Sequence, residues 1–135
     1  LASSDYGFLK HGTFEPRPNY FAVLLWNRLM GKTCYAVPEK NVEGAHVYAH
    51  SRADGKDGFV YLVINNSRTD TTTVELTGEA EVYVLNGKTG LRSRTMCLNG
   101  KELVLGDNDD LPDRAGKTVS GKLDIAPGGC AFIVV

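Results

Sequence analysis

The sequence is short of several things, and each shortage narrows what it can be. No apolar run approaches the roughly 20 residues that span a bilayer, so no transmembrane segment is expected. Positive charge is not in excess: 15 Lys and Arg stand against 16 Asp and Glu, a net charge of -1. A nucleic-acid binder usually carries a basic patch or a high isoelectric point, so nucleic acid is not an expected partner. Only three Cys are present, Cys34, Cys97 and Cys130. That number is too small, and odd, for a small disulfide scaffold, and the spacing holds no zinc template. Small buried apolar side chains are the favoured reading, with one disulfide and a leftover thiol as the other. No internal repeat or low-complexity tract is visible. The chain begins at Leu1, not Met, and Leu1–Asp5 lacks the basic flank and apolar stretch of a signal peptide. Leu1 is therefore expected to be a processing or cloning boundary, with the 135 residues a piece of a longer protein.

What is present is turn residues and strand patterns. Fifteen Gly and five Pro exceed what a helical bundle needs. One helical segment stands near the start: Pro16-Arg17-Pro18-Asn19 supplies a stop and a helix beginning, and Tyr20 to Met30 follows. Only Asn27 and Arg28 interrupt its apolar surface, so the helix is expected to be buried on more than one side, with Trp26 against the strands that follow. Gly31 reads as its C′ residue. From Thr33 onward strand and turn signals alternate. Strands are expected at 33–37, 45–51, 59–65, 71–76, 80–85, 94–98, 102–105, 122–125 and 130–135. Phe59–Asn65 is apolar on both faces and marks a central strand. Asn86-Gly87 and Asn99-Gly100 are hairpin signals, and 106–121 reads as a long polar loop. Short strands without intervening helices predict a mainly β protein, an antiparallel β-sandwich preceded by one helix.

Few residues announce chemistry. No Ser-His-Asp set, Cys-His pair or flanking carboxylate pair stands out, so no catalytic residue and no metal ligand is assigned, and no cofactor is expected. His46 and His50 share a strand face but are separated by about 13 Å of strand rise, too far for one metal. Asp107-Asn108-Asp109-Asp110 with Asp113 lacks the ligand spacing of an EF-hand and reads as a solvated loop. Glu15, before the Pro-Arg-Pro step, reads as electrostatic at the helix start. Asn65-Asn66-Ser67 is an N-x-S sequon, which makes Asn65 a candidate glycosylation site in a secreted chain.

Three stretches carry a resemblance: Asp5-Tyr6-Gly7-Phe8-Leu9, Thr13-Phe14-Glu15-Pro16-Arg17-Pro18-Asn19-Tyr20, and Leu24-Leu25-Trp26-Asn27-Arg28-Leu29-Met30-Gly31. They resemble heparanase and its plant and microbial relatives, glycoside hydrolase family 79. Weaker matches continue in order through Ala45–His50, Val63-Ile64-Asn65, Leu98–Leu103, Leu111-Pro112 and Ile125-Ala126-Pro127. The resemblance implies a retaining β-glucuronidase or endo-β-glucuronidase acting on uronic-acid-containing glycans, with a (β/α)8 barrel and a C-terminal β-sandwich. It implies that residues 1–31 are the end of the barrel, including its last helix, and that 32–135 are the sandwich. Neither catalytic Glu of the family matches a position here, so this part is expected to be structural. Tyr6, with Ser4 standing where the family has Gly, matches the step that faces the uronic-acid carboxylate. The implied partners are the rest of the same enzyme, its barrel and a strand from its N-terminal part, and an acidic glycan. Membrane association would come only through other parts, and the implied location is extracellular, lysosomal or vacuolar. The alternative is an autonomous, non-catalytic carbohydrate-binding or interaction module. That role calls for exposed planar aromatics, whereas Tyr35, Tyr48, Tyr61 and Tyr83 fall in strands where packing accounts for them.

Overall fold

A computed structural model describes residues 6–38 and 44–135. Its elements are α1 (Pro18–Leu29), β1 (Met30–Tyr35), β2 (His46–Arg52), β3 (Phe59–Ile64), β4 (Thr72–Gly87), β5 (Met96–Leu98), β6 (Lys101–Glu102), β7 (Lys117–Ile125) and β8 (Cys130–Val134). All strand pairs are antiparallel, in the order β1-β2-β3-β8-β4-β5-β6, with β7 on β4. The protein is mainly β after a single helix, as the alternating pattern predicts.

The long strand β4 organises the sandwich. Its second half, Glu81–Leu85, pairs with β8, while its first half pairs with β7. Paired residues share a sheet face. One face therefore carries Val60, Leu62, Phe132, Val134, Tyr83 and Leu85, which close a core with Phe21 and Leu25 of α1. The other face carries Val63, Ala131, Ile133 and Val82, which meet Leu123 and Ile125 of β7. This explains why β3 is apolar on both sides: it is central, between β2 and β8, with a core on each face.

Four local readings change. First, the helix ends at Leu29, and Met30 is already extended (φ -83°, ψ 118°), so Gly31 lies in β1 and caps nothing. Glycine serves there for close approach, since a Cβ would overlap Ser51 Oγ and lie 2.6 Å from the Ser51 carbonyl oxygen. Second, 71–76 and 80–85 form one strand, with the Thr77-Gly78-Glu79 segment absorbed as a bulge opposite β7. Third, β7 starts at Lys117, inside the predicted loop. Its first residues are polar because, among the described residues, β7 pairs only with β4, and an edge strand needs no apolar run there. Fourth, Asn86-Gly87 is not a turn: Gly87 pairs with Met96, and the reversal is made by Lys88–Thr95. Asn99-Gly100 behaves as expected, with φ of 49° and 83° and Leu98 opposite Lys101.

Candidate functional site

The segment Tyr6–Arg17 precedes α1 and forms a hydrogen-bonded loop. Lys10 N–H donates to Glu15 O (2.9 Å), Phe14 N–H to Lys10 O (2.9 Å) and Arg17 N–H to Phe8 O (2.8 Å), and Leu9 bridges Pro16. Phe14 holds φ 58° to close it. The turn exposes side chains that a core would normally take: Tyr6 is 93% exposed, and Phe8 and Phe14 are also exposed. Tyr6 is thus outward-facing. Ser4 lies outside the described residues. Glu15 forms a surface ion pair with Lys10 at 3.2 Å.

The helix presents two different sides. Phe21 and Leu25 are buried against the sheet, but Val23 and Trp26 are not. The expectation that Trp26 is buried against the strands needs correction. Its ring meets His50 edge-to-face at 5.2 Å, yet it stays 40% exposed. Beside it runs a shallow apolar groove of about 260 Å³ along Ala22, Val23, Trp26, Leu62 and Ile64. Tyr48, exposed, is opposite Leu62 on this face. His50 itself is structural: its Nδ1–H donates to Gly31 O at 2.9 Å, tying β2 to β1.

Asn65 is corrected as well. It is 0% exposed at the end of β3. Its Nδ2 donates to Asp70 O (2.8 Å) and Ile125 O (2.9 Å), and its Oδ1 accepts from Ser67 N–H (3.0 Å). Both amide hydrogens are used in the interior, so a glycan on Nδ2 is incompatible with this fold, and Asn65 is a hydrogen-bond hub. The sequon alone could not show this, because the partners are 5 and 60 residues away.

A charged cluster that the sequence reading missed sits where α1 ends. Tyr83, on the core face, donates its hydroxyl to Glu81 Oε1 at 2.9 Å, and the Arg28 guanidinium lies 5.9 Å from its ring centre. Burial, and then the bond to Glu81, push the Tyr83 phenol up to about 12. Nearby, Arg52 makes a two-point bond to Asp54 (3.1 and 2.8 Å), which lowers the Asp54 carboxyl and raises the guanidinium. These side chains line a cavity of about 360 Å³. Its positive and negative groups balance, two of each, and the arrangement braces the helix end. The alternation Glu81-Val82-Tyr83-Val84 was the signal that put both partners on one face.

The thiols divide. Cys97 and Cys130 are largely buried and free, and desolvation holds the Cys130 thiol up at about 11. Cys34 is free but exposed, contrary to the buried reading for all three. Among the described residues no three His, Cys, Asp or Glu side chains converge as metal ligands, and no helix is long and apolar enough to cross a membrane. The Asp107–Asp109 segment is an exposed 3-10 turn.

No protein-family model matches the chain. Individual relatives do. Heparanase-like protein 1 of Arabidopsis thaliana is 31% identical over 100% of the chain, covering 32% of that protein. Baicalin-beta-D-glucuronidase of Scutellaria baicalensis is 29% identical over 98% of the chain and 27% of its own length. Inactive heparanase-2 of Homo sapiens is 29% identical over 96% of the chain and 26% of its length. A solved arabinofuranosidase is similar over 68% of the chain and 19% of its own, at 22% identity and a TM-score of 0.42, too little to carry an argument. The chain spans about a third of the length of the curated relatives it matches. Their similarity runs through the N-terminal loop, the helix and the sheet alike, so that over its whole length this chain is similar to the heparanase-like proteins.

Proposed function

We propose that the chain is the C-terminal part of a heparanase-like β-glucuronidase or endo-β-glucuronidase, a retaining hydrolase of uronic-acid-containing glycans. In this reading residues 1–31 end a (β/α)8 barrel and 32–135 form the sandwich that supports it. In this reading the catalytic carboxylates lie outside the chain, since neither catalytic Glu of the resembled family matches a position here. In this reading Tyr6 and Ser4 belong to the sequence step that contacts the substrate, since barrel sites are built at strand ends. The location would be extracellular, lysosomal or vacuolar.

The observation that carries the reading is the uncovered apolar side of α1. Val23 and Trp26 beside an apolar groove are what a helix packed between a barrel and a sandwich would show when only the sandwich is present. A second uncovered place fits a further strand. Among the described residues Thr72–Leu76 of β4 pairs only with β7, and a groove of about 720 Å³ runs beside it along Tyr61, Val63 and Ile133. The test is hydrolysis of an aryl β-glucuronide. The longer protein should turn it over and the 135-residue chain should not. Turnover by the chain alone, abolished by a change within it, would refute the supporting role.

An autonomous binding module remains the second reading, because Tyr35 and Phe59 are exposed. Their rings meet at 83° and 5.1 Å, so they offer edges and not one flat platform for a sugar. Folding of the isolated chain with saccharide affinity equal to that of the longer protein would favour the module.

A further inference from the structure

We propose that Phe14 is a positioning residue: its ring seats in an apolar pocket of the rest of the enzyme and so fixes the loop next to Tyr6. The proposal rests on the reading that a barrel covers this loop and that Tyr6 meets the substrate. Four non-glycine residues among those described hold positive φ: Phe14 at 58°, Asn99 at 49°, Asn108 at 62° and Asp109 at 61°. Asn and Asp tolerate that region, because their short polar side chains can bond to the local backbone. A bulky aromatic gains nothing of the kind, so the backbone at Phe14 is strained. The same loop supplies the comparison. Gly12 holds φ 85° with nothing within 4 Å of where a Cβ would stand, so glycine serves there for its conformation alone. Two residues later the chain again takes positive φ and carries a benzyl group instead of a hydrogen.

Among the described residues the ring finds little cover to offset that strain. Phe14 is 63% exposed, and Phe8 on the same loop is 41% exposed. Burying an aromatic ring is a large favourable term, and here the chain leaves it unused. The missing cover has a source, since most of the length of each curated relative lies outside the part this chain matches. The outer side of α1, which follows the loop directly, is open at Val23 and Trp26, so one body can cover both. The backbone carries the position of the ring toward Tyr6. Phe14 N–H donates to Lys10 O (2.9 Å), Lys10 N–H to Glu15 O (2.9 Å) and Arg17 N–H to Phe8 O (2.8 Å), while Leu9 bridges Pro16. These bonds tie residues 8–17 into one unit, with Tyr6 two residues before it. A seated Phe14 therefore leaves Tyr6 few placements, and less freedom is lost when substrate binds.

The experiment compares the longer protein with the 135-residue chain. Phe14→Gly relieves the backbone and removes the ring. In the chain alone it should leave the urea midpoint unchanged or raise it, since little burial is lost. In the longer protein it should raise KM for an aryl β-glucuronide about tenfold with kcat within about twofold, the mark of binding shared by substrate and transition state. Phe14→Leu, which keeps an apolar side chain, should restore most of the KM. Asn108→Gly, which relieves positive φ in an exposed turn elsewhere, should leave KM unchanged. A fall in the urea midpoint of the Phe14→Gly chain as large as that of Leu25→Ala, or an unchanged KM in the longer protein, overturns the proposal. Hydroxyl-radical modification of Phe14 reads the seat without any variant. Protection of about tenfold in the longer protein supports it, and equal modification in the two refutes it. A protein that cleaves the glucuronide with Phe14 unprotected refutes the seat and leaves the hydrolase. One that protects Phe14 but cleaves no glucuronide keeps the seat and overturns the hydrolase, and with it the role toward substrate.

Discussion

On α1, Phe21 and Leu25 lie against the sheet almost fully buried, whereas Val23 and Trp26 on the same helix stay nearly half exposed. The two sides are equally apolar in sequence, so the difference is not in the residues. It lies in what the chain supplies to cover them. The inner side is closed by Val60, Leu62, Leu85 and Phe132, all far along the chain from Phe21 and Leu25. On the outer side, among the described residues, Trp26 meets the edge of His50 and borders an open groove. The same contrast extends through the molecule. The sandwich interior answers its own polar groups, as at Asn65 and Asn99, while the loop before α1 turns Tyr6, Phe8 and Phe14 outward. A closed region and an open region should respond differently to mutation.

The largest effect is expected at Leu25. Leu25→Ala should destabilise the chain by about 2–5 kcal/mol in urea unfolding, because it leaves a cavity between helix and sheet. A cost close to that of Trp26→Ala would erase the distinction between the two sides. Asn65→Ala comes next, at about 1–3 kcal/mol, since it leaves the Ile125 carbonyl buried without its donor. Intact mass sharpens this point: protein expressed through a secretory pathway should carry no glycan at Asn65, and an occupied, folded Asn65 would break the account of the interior.

Asn99 tests the closed region at its edge. Its Oδ1 accepts from Val84 N–H and its Nδ2 donates to Val82 O, both at 3.0 Å, so the β5–β6 turn is stitched to β4. Asn99→Gly keeps the positive φ but loses both bonds, and should cost about 1 kcal/mol. Asn99→Ala, which also strains the turn, should cost more. Reversal of that order would show that backbone conformation plays no part. Tyr83 supplies a pH test. Its phenol is raised in the folded state, so its contribution is intact below the unfolded value near 10 and is lost as pH rises through about 12. Chain stability should fall over that interval, and Tyr83→Phe should flatten the fall. The smallest stability effect is expected on the open side, where Trp26→Ala should cost the isolated chain about 1 kcal/mol or less.

The strands that were legible in the sequence are those whose pattern is set by burial on one or both faces. Phe59–Ile64 and Cys130–Val134 needed no tertiary information, since short runs rich in β-branched and aromatic residues and bounded by turn signals suit a central strand. The Asn99-Gly100 turn was legible because two adjacent residues at positive φ leave few choices. Lys117–Ser120 was not, because an edge strand hides among loop residues when its outward side chains are polar. The joining of 71–76 to 80–85 depends on β7 crossing the bulge, a pairing about 40 residues away. At the site, Tyr6 was named only through resemblance to a family motif. Asn65 misled because a sequon describes three residues and says nothing of what lies over them.

The central claim is that the open side of α1 is covered by the rest of a larger enzyme. Oxidative footprinting of Trp26, read by mass spectrometry, tests it most directly in the isolated chain and in the longer protein. The account predicts ready modification in the chain, where the indole is 40% exposed, and protection by about an order of magnitude in the longer protein. Equal modification rates in the two would contradict it.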